Sequence, residues 1–448
     1  MKILSRRAMV AVLFLLLFAV GVAGFLFTYL KDAPAWVRYP ANRHLYTAGQ
    51  LKAGAVYDRS GTVLAQTVNN RRVYNDSADV RTALMQTVGD SNGDISTAAQ
   101  VAFVNRLAGW SLLNGTYRMN QTVSDIHLTV DANLSVTAYK ALAGRKGTVG
   151  VYNYKTGEIL CIASSPSFDP ENPPDAKTVK ANAAQYEGVY MDKLFSAAYT
   201  PGSVFKLVTS AAAIDTIPDA TTKSYYCNGS LDAGGGTVTC PRAHGRQTLA
   251  QALSHSCNVT FGGLALQLCG ATLQKYAETA GFNSSLTVDG IKTTAGRVDV
   301  TNAKGANLAW AGVGQYTDTA NPLNYLAYVG AIANGGVRVT PHILQGSTSA
   351  QKTILSASTA NTIKSMMRND VLSNYGERNY RGLQLCAKSG TAQLADGTAS
   401  HAWFVGFMDR QDCPLAFVVV IENGGAGSSQ AGPVAGQVLQ AALKLYVK

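Results

Sequence analysis

The longest apolar run of the chain lies near its N-terminus. Ala8 to Leu30 is a stretch of 23 residues without a charged side chain, and about 20 apolar residues in a helix span the hydrocarbon core of a bilayer. The seven residues before it include three basic side chains, which favour the cytoplasmic side of a membrane. The pattern predicts a cytoplasmic tail over residues 1–7, a transmembrane anchor over residues 8–30 and an exported remainder.

A cleaved signal peptide is the alternative interpretation of this run. The apolar part of such a peptide is normally shorter and ends at small residues, and Val22-Ala23-Gly24 is a candidate cleavage site. Because apolar side chains continue through Phe25, Leu26 and Phe27, the uncleaved anchor is favoured.

Short apolar runs alternate with polar turns over residues 31–145. Gly54 to Ala65 predicts two short strands joined by a Ser-Gly turn. His127-Leu128-Thr129-Val130 predicts a further strand, and Asp131 after it is a residue type that caps helix N-termini. Since this region offers no nucleophile and no metal cluster, we interpret it as a small mixed domain that serves as a spacer or docking module.

Residues 146–448 have a different pattern, with strand-like runs at both ends and helical periodicity between them. The strand-like runs are Gly147 to Tyr154, Glu158 to Ser164, Leu385 to Gln393, Ala402 to Asp409 and Leu415 to Asn423. Asp396-Gly397 and Gln411-Asp412 are turn signals between the last three, and Ala431 to Tyr446 predicts a closing helix. The fold class is therefore α+β, with an antiparallel five-stranded sheet and flanking helices.

Charge adds a coarse constraint on partners. The formal net charge is +11, which suits a membrane surface or an anionic wall polymer and serves general solubility equally well. The basic residues are spread, and no basic run follows the anchor. Nucleic acid is therefore not an expected partner.

The chain has seven cysteines, an odd number. Cys227 and Cys240 bracket the glycine-rich turn Gly234–Gly236 and are the best candidates for a disulfide in an oxidising compartment. A zinc site from these two cysteines with His244 and His255 is an alternative, but its spacing matches no standard pattern, so no metal is expected. The remaining cysteines lie in apolar surroundings and are predicted to be buried thiols: Cys161, Cys257, Cys269, Cys386 and Cys413.

The first candidate for chemistry is a serine and a lysine three residues apart. Ser203 and Lys206 follow Pro201-Gly202 and open an apolar run that predicts a buried helix. Residues three apart share one helix face, so the Lys206 amine can reach the Ser203 hydroxyl. A lysine whose pKa is lowered can accept a serine proton, which is the requirement for an acyl-transfer site. The spacing alone is common and has no functional meaning in most proteins.

Two further constellations follow in the same domain. Ser256 and Asn258 stand two apart, where a hydroxyl can relay protons and an amide can hold a substrate carbonyl. Lys388-Ser389-Gly390-Thr391 lies on a predicted strand, with a positive charge, two hydroxyls and a glycine that leaves room for a substrate backbone. The alternative interpretation of Lys388 is an edge-strand lysine that prevents aggregation.

Together and in this order, the motifs S-x-x-K, S-x-N and K-[ST]-G resemble those of penicillin-recognising serine enzymes. The chain resembles, more narrowly, the class B, single-anchor penicillin-binding proteins. Supporting segments are Gly54 to Ala65, Leu128 to Asp131, Thr156 to Leu160, Ser165 to Pro170, Ala243 to Gly245, Ala333 to Gly336 and Trp403 to Phe407. Two positions depart from the family pattern: Ala53 replaces a usual arginine, and Tyr316 replaces the second glycine of a usual G-Q-G.

The resemblance implies roles for the first two motifs. Ser203 would be the nucleophile that attacks the D-Ala–D-Ala carbonyl of a stem peptide, and Lys206 would be the base. Lys388 would help to keep Lys206 neutral by like-charge repulsion. Ser256 would pass the proton to the leaving D-alanine, and Asn258 would bind the substrate amide.

The third motif would bind the substrate. Ser389 and Thr391 would hold the terminal carboxylate, with charge from Lys388 and close backbone approach at Gly390. The backbone N–H groups of Ser203 and Thr391 would form the oxyanion hole. No metal and no organic cofactor is needed for this chemistry.

The resemblance thus implies a membrane-anchored peptidoglycan DD-transpeptidase over residues 146–448 that β-lactams acylate and inhibit. A DD-carboxypeptidase or β-lactamase at the same site is one alternative, and a non-catalytic β-lactam sensor or wall scaffold is another. The family implies a cell-membrane location, an extracytoplasmic catalytic domain and a membrane-embedded glycan polymerase of the SEDS type as partner.

Overall fold

The computed structural model describes residues 2–37, 53–69, 71–90, 92–107, 124–392 and 399–447. The chain begins with helix α1, Lys2–Val37. Within it, Arg6–Tyr29 is long and apolar enough to cross a membrane, and no part of that stretch is buried in the protein. This stretch overlaps the predicted anchor over residues 8–30, and its length and composition suit a membrane span.

A small sheet follows, with strand order β3-β2-β1-β4. Its strands are β1 Val56–Tyr57, β2 Val63–Val68, β3 Arg71–Tyr74 and β4 Ile126–His127. The described residues between β3 and β4 form the short helices α2 Ala78–Ala83, α3 Met85–Val88, α4 Ala99–Ala102 and α5 Val104–Leu107. The predicted Ser-Gly turn is present, and the Asp58 carboxylate closes it by accepting the Ser60 and Thr62 backbone N–H groups. The strand predicted over 127–130 is shorter, since Leu128 makes only an isolated bridge to Leu344.

Helix α6, Ala132–Leu142, starts as the sequence predicts, because Asp131 Oδ1 accepts the Leu134 N–H at 2.9 Å. It leads into the hairpin of β5, Gly147–Asn153, and β6, Ile159–Ser165. The apolar face of α6 packs against these strands. The division of the chain at residue 145 stays a prediction.

The long middle region is mostly helical. Its first half contains α7 Ala176–Ala181, α8 Ala183–Tyr186, α9 Lys193–Ser196, a 3₁₀ turn at Gly202–Phe205, α10 Lys206–Thr216, β7 Tyr225–Cys227, β8 Ser230–Asp232, β9 Thr237–Thr239 and β10 Gly245–Gln247. Its second half contains α11 Leu249–Ser254, α12 Asn258–Ala280, β11 Thr287–Val288, β12 Ile291–Lys292, α13 Gly305–Ala311, α14 Pro322–Ala333, β13 Val337–Val339, β14 Gln351–Thr353 and α15 Ala357–Asp370. The short strands of this region pair as two-stranded ribbons, β7 with β10, β8 with β9, β11 with β12 and β13 with β14.

The main sheet is completed near the C-terminus by β15 Leu385–Ala392, β16 His401–Met408 and β17 Leu415–Ile421, and α16 Gly427–Tyr446 closes the fold. The order is β15-β16-β17-β5-β6, and every pairing is antiparallel. The α+β prediction with five antiparallel strands is confirmed, and β15 is an edge strand. The predicted turn at Asp396-Gly397 lies outside the described residues.

Both faces of this sheet are buried, against different helices. On β16, Trp403 and Val405 join the core of the helical middle region, whereas Phe404 and Met408 join the core formed with α6 and α16. This alternation follows from the two-residue period of a strand. The edge strand β15 lies beside the 3₁₀ turn Gly202–Phe205, so the strand of the third motif adjoins the turn of the first motif.

Candidate active site

The candidate nucleophile Ser203 lies in the 3₁₀ turn Gly202–Phe205, which runs directly into α10. The prediction that Ser203 belongs to the α-helix is therefore wrong by one turn. The Pro-Gly pair favours the tighter start, since Gly202 has φ +55°, a value that glycine adopts without steric cost. Side chains three residues apart are eclipsed in a 3₁₀ turn, so Lys206 still projects on the same side as Ser203.

The Lys206 amine is the centre of the hydrogen-bond network. Its Nζ lies 2.9 Å from Ser203 Oγ, 2.8 Å from Asn258 Oδ1, 3.1 Å from Ser256 Oγ and 2.7 Å from the Ser256 carbonyl oxygen. The lysine is 0% exposed. One buried amine thus joins all four side chains of the first two motifs.

Burial is the main cause that lowers the pKa of Lys206 well below its ordinary value, and the charge of Lys388 lowers it further. Its Nζ also lies 5.7 Å from the centroid of the Phe261 ring, so apolar groups surround part of the amine. A lowered pKa increases the fraction of neutral amine near pH 7. The geometry and the pKa together suit a base that takes the Ser203 proton.

The second motif lies at the junction of α11 and α12. The Ser256 N–H bonds to the Leu253 carbonyl, and the Cys257 N–H bonds to the Ala252 carbonyl, which is the Schellman pattern that ends a helix. Ser256 occupies the left-handed position of this pattern, with φ +50°, where glycine is usual. The turn directs Ser256 and Asn258 to Lys206, while Cys257 between them caps α12 from the other side.

Both polar atoms of the Asn258 side chain have a partner among the described residues. Its Oδ1 accepts from Lys206, and its Nδ2 donates to the Thr239 carbonyl at 2.8 Å. A carboxamide nitrogen carries two hydrogens, so one N–H is used by Thr239 and the other can serve a substrate carbonyl.

Lys388 of the third motif is almost fully enclosed, at 1% exposure. Its Nζ lies 3.6 Å from Asp370 Oδ2 and donates to the Ser389 carbonyl at 3.1 Å. Burial lowers the pKa of Lys388, and Asp370 opposes that effect. A surface role against aggregation is therefore excluded for this lysine.

The strand of the third motif, β15, lies in van der Waals contact with the nucleophile turn, the 3₁₀ turn Gly202–Phe205 that carries Ser203. A Cβ at Gly390 would come within 2.7 Å of the Pro201 carbonyl oxygen, and a Cβ at Gly202 would come within 2.8 Å of the Thr391 carbonyl oxygen. Both approaches require a residue without a side chain. They bring the backbone of Thr391, which is exposed at the end of β15, beside that of Ser203.

Three residues that the sequence did not single out join the third motif to the second. Asp370 ends α15, and Asn374 and Tyr375 lie in the π-helical turn Val371–Tyr375 that follows. Tyr375 Oη lies 2.9 Å from Asp370 Oδ2 and accepts the Ser389 N–H at 2.9 Å. Asn374 Nδ2 donates to Asp370 Oδ1 at 2.7 Å and to the Ser254 carbonyl at 2.5 Å. No spacing rule marks these residues, because the π turn that aligns them leaves no signature in the sequence.

The atypical Gly314-Gln315-Tyr316 loop lies behind the nucleophile turn. The Gly202 N–H donates to the Gly314 carbonyl at 2.8 Å, so the loop supports the start of the 3₁₀ turn. Tyr316 has φ +70° and is 49% exposed. A tyrosine therefore occupies a left-handed position that glycine would occupy without strain.

The candidate disulfide is not formed. Cys227 and Cys240 are free thiols whose Sγ atoms are 3.8 Å apart, whereas a disulfide requires about 2.05 Å. The physical reason is competition, since Cys240 Sγ is equally close to Cys257 Sγ, at 3.7 Å. Cys269, predicted to be buried, is exposed at a kink inside α12. The other predicted buried thiols are buried.

Comparison with known proteins agrees with this arrangement. Residues 147–440 match the family model described as penicillin binding protein transpeptidase domain. This match covers more than half of the chain and includes all three motifs.

Two curated relatives and one solved structure give the scale of the similarity. The chain is 25% identical over 344 residues to peptidoglycan D,D-transpeptidase PbpA of Mycolicibacterium smegmatis, covering 67% of each protein. It is 28% identical over 363 residues to stage V sporulation protein D of Bacillus subtilis, covering 71% of this chain and 53% of that protein.

The solved structure is that of penicillin-binding protein A from M. tuberculosis as its ceftriaxone acyl-enzyme complex. It matches with a TM-score of 0.77 and 22% identity, over 89% of this chain and 100% of that one. Fold, motif geometry and family match agree. The chain therefore belongs to the penicillin-binding protein transpeptidase family, as a class B penicillin-binding protein.

Proposed function

We propose that this chain is a peptidoglycan DD-transpeptidase that works through an acyl-enzyme on Ser203. The observation that carries the proposal is the fully buried Lys206 amine, 2.9 Å from Ser203 Oγ. A lysine in this position has no structural need to be there, since burial of an ammonium is costly. Its value lies in the neutral form, which can accept a proton.

Acylation then proceeds as follows. The Ser203 hydroxyl gives its proton to the neutral Lys206 amine while its oxygen attacks the carbonyl carbon between the two terminal D-alanines of a stem peptide. The amide C–N bond breaks, and the leaving D-alanine amine takes up a proton. Ser256 Oγ, 3.1 Å from Lys206 Nζ, is placed to relay that proton from the lysine.

The third motif and the strand edge position the donor peptide. The Lys388 charge and the Ser389 and Thr391 hydroxyls bind its terminal carboxylate, and the free Asn258 N–H binds a backbone carbonyl. The backbone N–H groups of Ser203 and Thr391 stabilise the oxyanion. The carboxylate end therefore lies toward β15, and the scissile carbonyl lies over the nucleophile turn.

The acyl-enzyme is resolved by an amine of a neighbouring stem peptide, with Lys206 again as the proton acceptor. A β-lactamase needs a group that activates water for this step. Within the described part of the chain, the hydrogen-bond partners of Lys206 Nζ are hydroxyl, carbonyl and amide oxygens, and no carboxylate is among them. This favours an amine acceptor and a long-lived β-lactam adduct.

We further propose that α1 anchors the chain in the cell membrane with the catalytic domain on the extracytoplasmic side. The basic residues before the apolar stretch support this orientation. A SEDS-type glycan polymerase in the same membrane is the proposed partner, bound through the anchor and the 31–145 segment. Such a partner would supply the glycan strands that the transpeptidase cross-links.

The test is a reaction of the full-length protein in detergent with a stem pentapeptide that ends in D-Ala–D-Ala, with and without an amine acceptor. We expect release of D-alanine together with a peptide joined to the acceptor. Release of D-alanine with only the hydrolysed tetrapeptide would assign a carboxypeptidase instead. Absence of D-alanine release from the folded protein would assign the non-catalytic alternative.

A further inference from the structure

Three cysteines and one histidine converge beside the second motif. The Sγ atoms of Cys227, Cys240 and Cys257 and a ring nitrogen of His244 all lie within 4.8 Å of one another. Cys227 and Cys257 are buried, and the other two are partly exposed. Thiolate and imidazole in a 3:1 set are the ligands of structural zinc sites.

The distances within this group fit one tetrahedral ion. Zn–S bonds of about 2.3 Å at tetrahedral angles place two sulfurs about 3.8 Å apart, and a Zn–N bond of about 2.1 Å places nitrogen about 3.6 Å from sulfur. The Cys227–Cys240 and Cys240–Cys257 sulfur separations are 3.8 Å and 3.7 Å, and His244 Nδ1 is 3.5 Å from Cys227 Sγ. A disulfide in the same group would bring two sulfurs to about 2.05 Å.

The backbone around the cluster favours thiolates. The Val259 N–H donates to Cys240 Sγ and the Thr260 N–H donates to Cys257 Sγ, both at 3.4 Å. These two donors belong to the first turn of α12, a helix of 23 residues, where unpaired N–H groups and the helix dipole stabilise negative charge. Coordination requires deprotonated cysteines, and these contacts supply part of that stabilisation.

Secondary structure fixes each ligand from a different element. Cys227 ends β7, Cys240 follows β9, and Cys257 is the N-cap of α12. His244 precedes β10, and its backbone N–H donates to the Cys227 carbonyl at 3.2 Å. A bound ion would therefore tie two ribbons to the start of α12.

His255, which the sequence suggested as a ligand, has another function. Its Nδ1 lies 2.9 Å from Gln247 Oε1, and its ring stacks on His244 with centroids 5.2 Å apart. It therefore orients the His244 ring. Cys257 takes the fourth position, which the spacing of the sequence did not indicate.

We propose that Cys227, Cys240, His244 and Cys257 bind a zinc ion that holds the second motif in place. Cys257 stands between Ser256 and Asn258, whose side chains both contact Lys206. Fixing the Cys257 sulfur on a metal therefore fixes the two residues on either side of it. The metal does not take part in the acyl transfer. This proposal differs from the sequence-based expectation, which was a Cys227–Cys240 disulfide and no metal.

The proposed extracytoplasmic location adds a reason for a metal. Free thiols in an oxidising compartment form disulfides, and three adjacent thiols would form mixed pairs. Three thiols can form only one disulfide at a time. Because the sulfurs are 3.8 Å and 3.7 Å apart and a disulfide bond is about 2.05 Å long, either disulfide would move a sulfur by about 1.7 Å. A zinc ion protects all three sulfurs without such a shift.

The first test is the metal content of the full-length protein in detergent, measured by mass spectrometry of the elements. We expect about one zinc per chain in the wild type and in Cys269→Ser, whose exposed thiol lies outside the cluster. Cys240→Ser should lose most of the metal. Substitution with cobalt(II) should give the intense visible bands of a tetrahedral thiolate site. Wild-type protein without zinc, or a Cys227–Cys240 disulfide in its peptide map, would overturn the proposal.

The second test addresses the second motif. Removal of zinc by a chelator should slow acylation by benzylpenicillin, by about 10²-fold if Ser256 and Asn258 move by about 1 Å, and added zinc or cobalt should restore the rate. An unchanged rate in the metal-free protein would overturn the positioning role. The metal content is measured without any substrate, so it tests the zinc proposal even if the proposed transpeptidase activity is not found.

Discussion

Tyr375 Oη accepts the backbone N–H of Ser389 at 2.9 Å and lies equally close to the Ser389 hydroxyl. Ser389 belongs to the edge strand β15, and Tyr375 belongs to the π turn after α15. The same tyrosine contacts Asp370, the carboxylate that faces Lys388. The Tyr375 hydroxyl therefore holds the backbone of Ser389 and also the carboxylate that faces the Lys388 ammonium.

Tyr375→Phe should weaken the site without changing the fold. The substitution removes the hydrogen-bond acceptor of the Ser389 N–H and the hydroxyl that contacts Asp370 Oδ2, while Asp370 Oδ1 keeps its bond from Asn374. A lost hydrogen bond that leaves a buried group unsatisfied costs about 1–3 kcal/mol. We expect a lower melting temperature and a rate of acylation by benzylpenicillin reduced about tenfold or more. Tyr380→Phe is the matched control, because Tyr380 packs on the same Phe404 ring. Equal acylation rates in the two variants would contradict a role for the Tyr375 hydroxyl.

The pH dependence of acylation should report the lowered pKa of Lys206. Burial lowers this pKa most, and the charge of Lys388 lowers it further. The neutral amine of Lys206 therefore forms at a pH well below the ordinary pKa of a lysine. The acylation rate should therefore rise with pH through this lowered pKa and then level off. Lys388→Met removes a charge that lowers the pKa of Lys206, and the midpoint of the rise should move to higher pH.

Lys388→Arg is the control for that shift, because it keeps the charge. The quantity compared is the midpoint of the pH profile, which does not depend on how far either substitution weakens β-lactam binding. A midpoint that is the same in wild type, Lys388→Met and Lys388→Arg would show that the two lysines are not coupled.

Gly202→Ala should disturb the contact between the nucleophile turn and β15. A Cβ there would lie 2.8 Å from the Thr391 carbonyl oxygen, and φ is +55°. We expect a loss of about 1–3 kcal/mol in the free energy of unfolding and an acylation rate about 10²-fold lower, because Ser203 is displaced. Gly234→Ala has a similar positive φ with open space around it. That control should lose stability alone, and a comparable fall in its acylation rate would refute the steric explanation.

The departure at Tyr316 predicts a stabilising substitution. A φ of +70° costs a residue with a Cβ about 1–2 kcal/mol. Glycine removes that strain, but it also raises the entropy of the unfolded chain, which cancels part of the gain in stability. Tyr316→Gly should therefore raise the free energy of unfolding by about 0.5–1 kcal/mol in urea titrations. Tyr316→Ala keeps the strain and should give no gain, so equal gains in both variants would assign the effect to the lost phenol ring.

The sequence was sufficient for features that depend on local pattern. The apolar run before Tyr29, the cap at Asp131 and the alternation along β16 each follow from spacing within one element. The contact between Ser203 and Lys206 also follows from local spacing, because the two residues lie one turn apart. Lys388, by contrast, was open to two interpretations until its burial was known.

The remaining features depend on contacts between distant segments. Asp370 and Tyr375 act on the third motif only because the end of α15 and the π turn after it both lie beside β15. Cys257 meets Cys227 and Cys240 through the junction of two helices, and no separation along the chain encodes that. Sequence reasoning paired the two cysteines that flank one hairpin and could not see the third sulfur.

The most direct test of the central claim is the site of acylation by benzylpenicillin. Full-length protein in detergent is mixed with the drug and followed by intact mass, and the adduct is then located by peptide mapping. Ser203→Ala is compared with Ser210→Ala, which removes a buried hydroxyl from α10, the helix that follows the 3₁₀ turn of Ser203. The account predicts one stable adduct on Ser203 in the wild type and in Ser210→Ala, and none in Ser203→Ala. An adduct that persists in Ser203→Ala, or a folded wild type that takes up no drug, would contradict it.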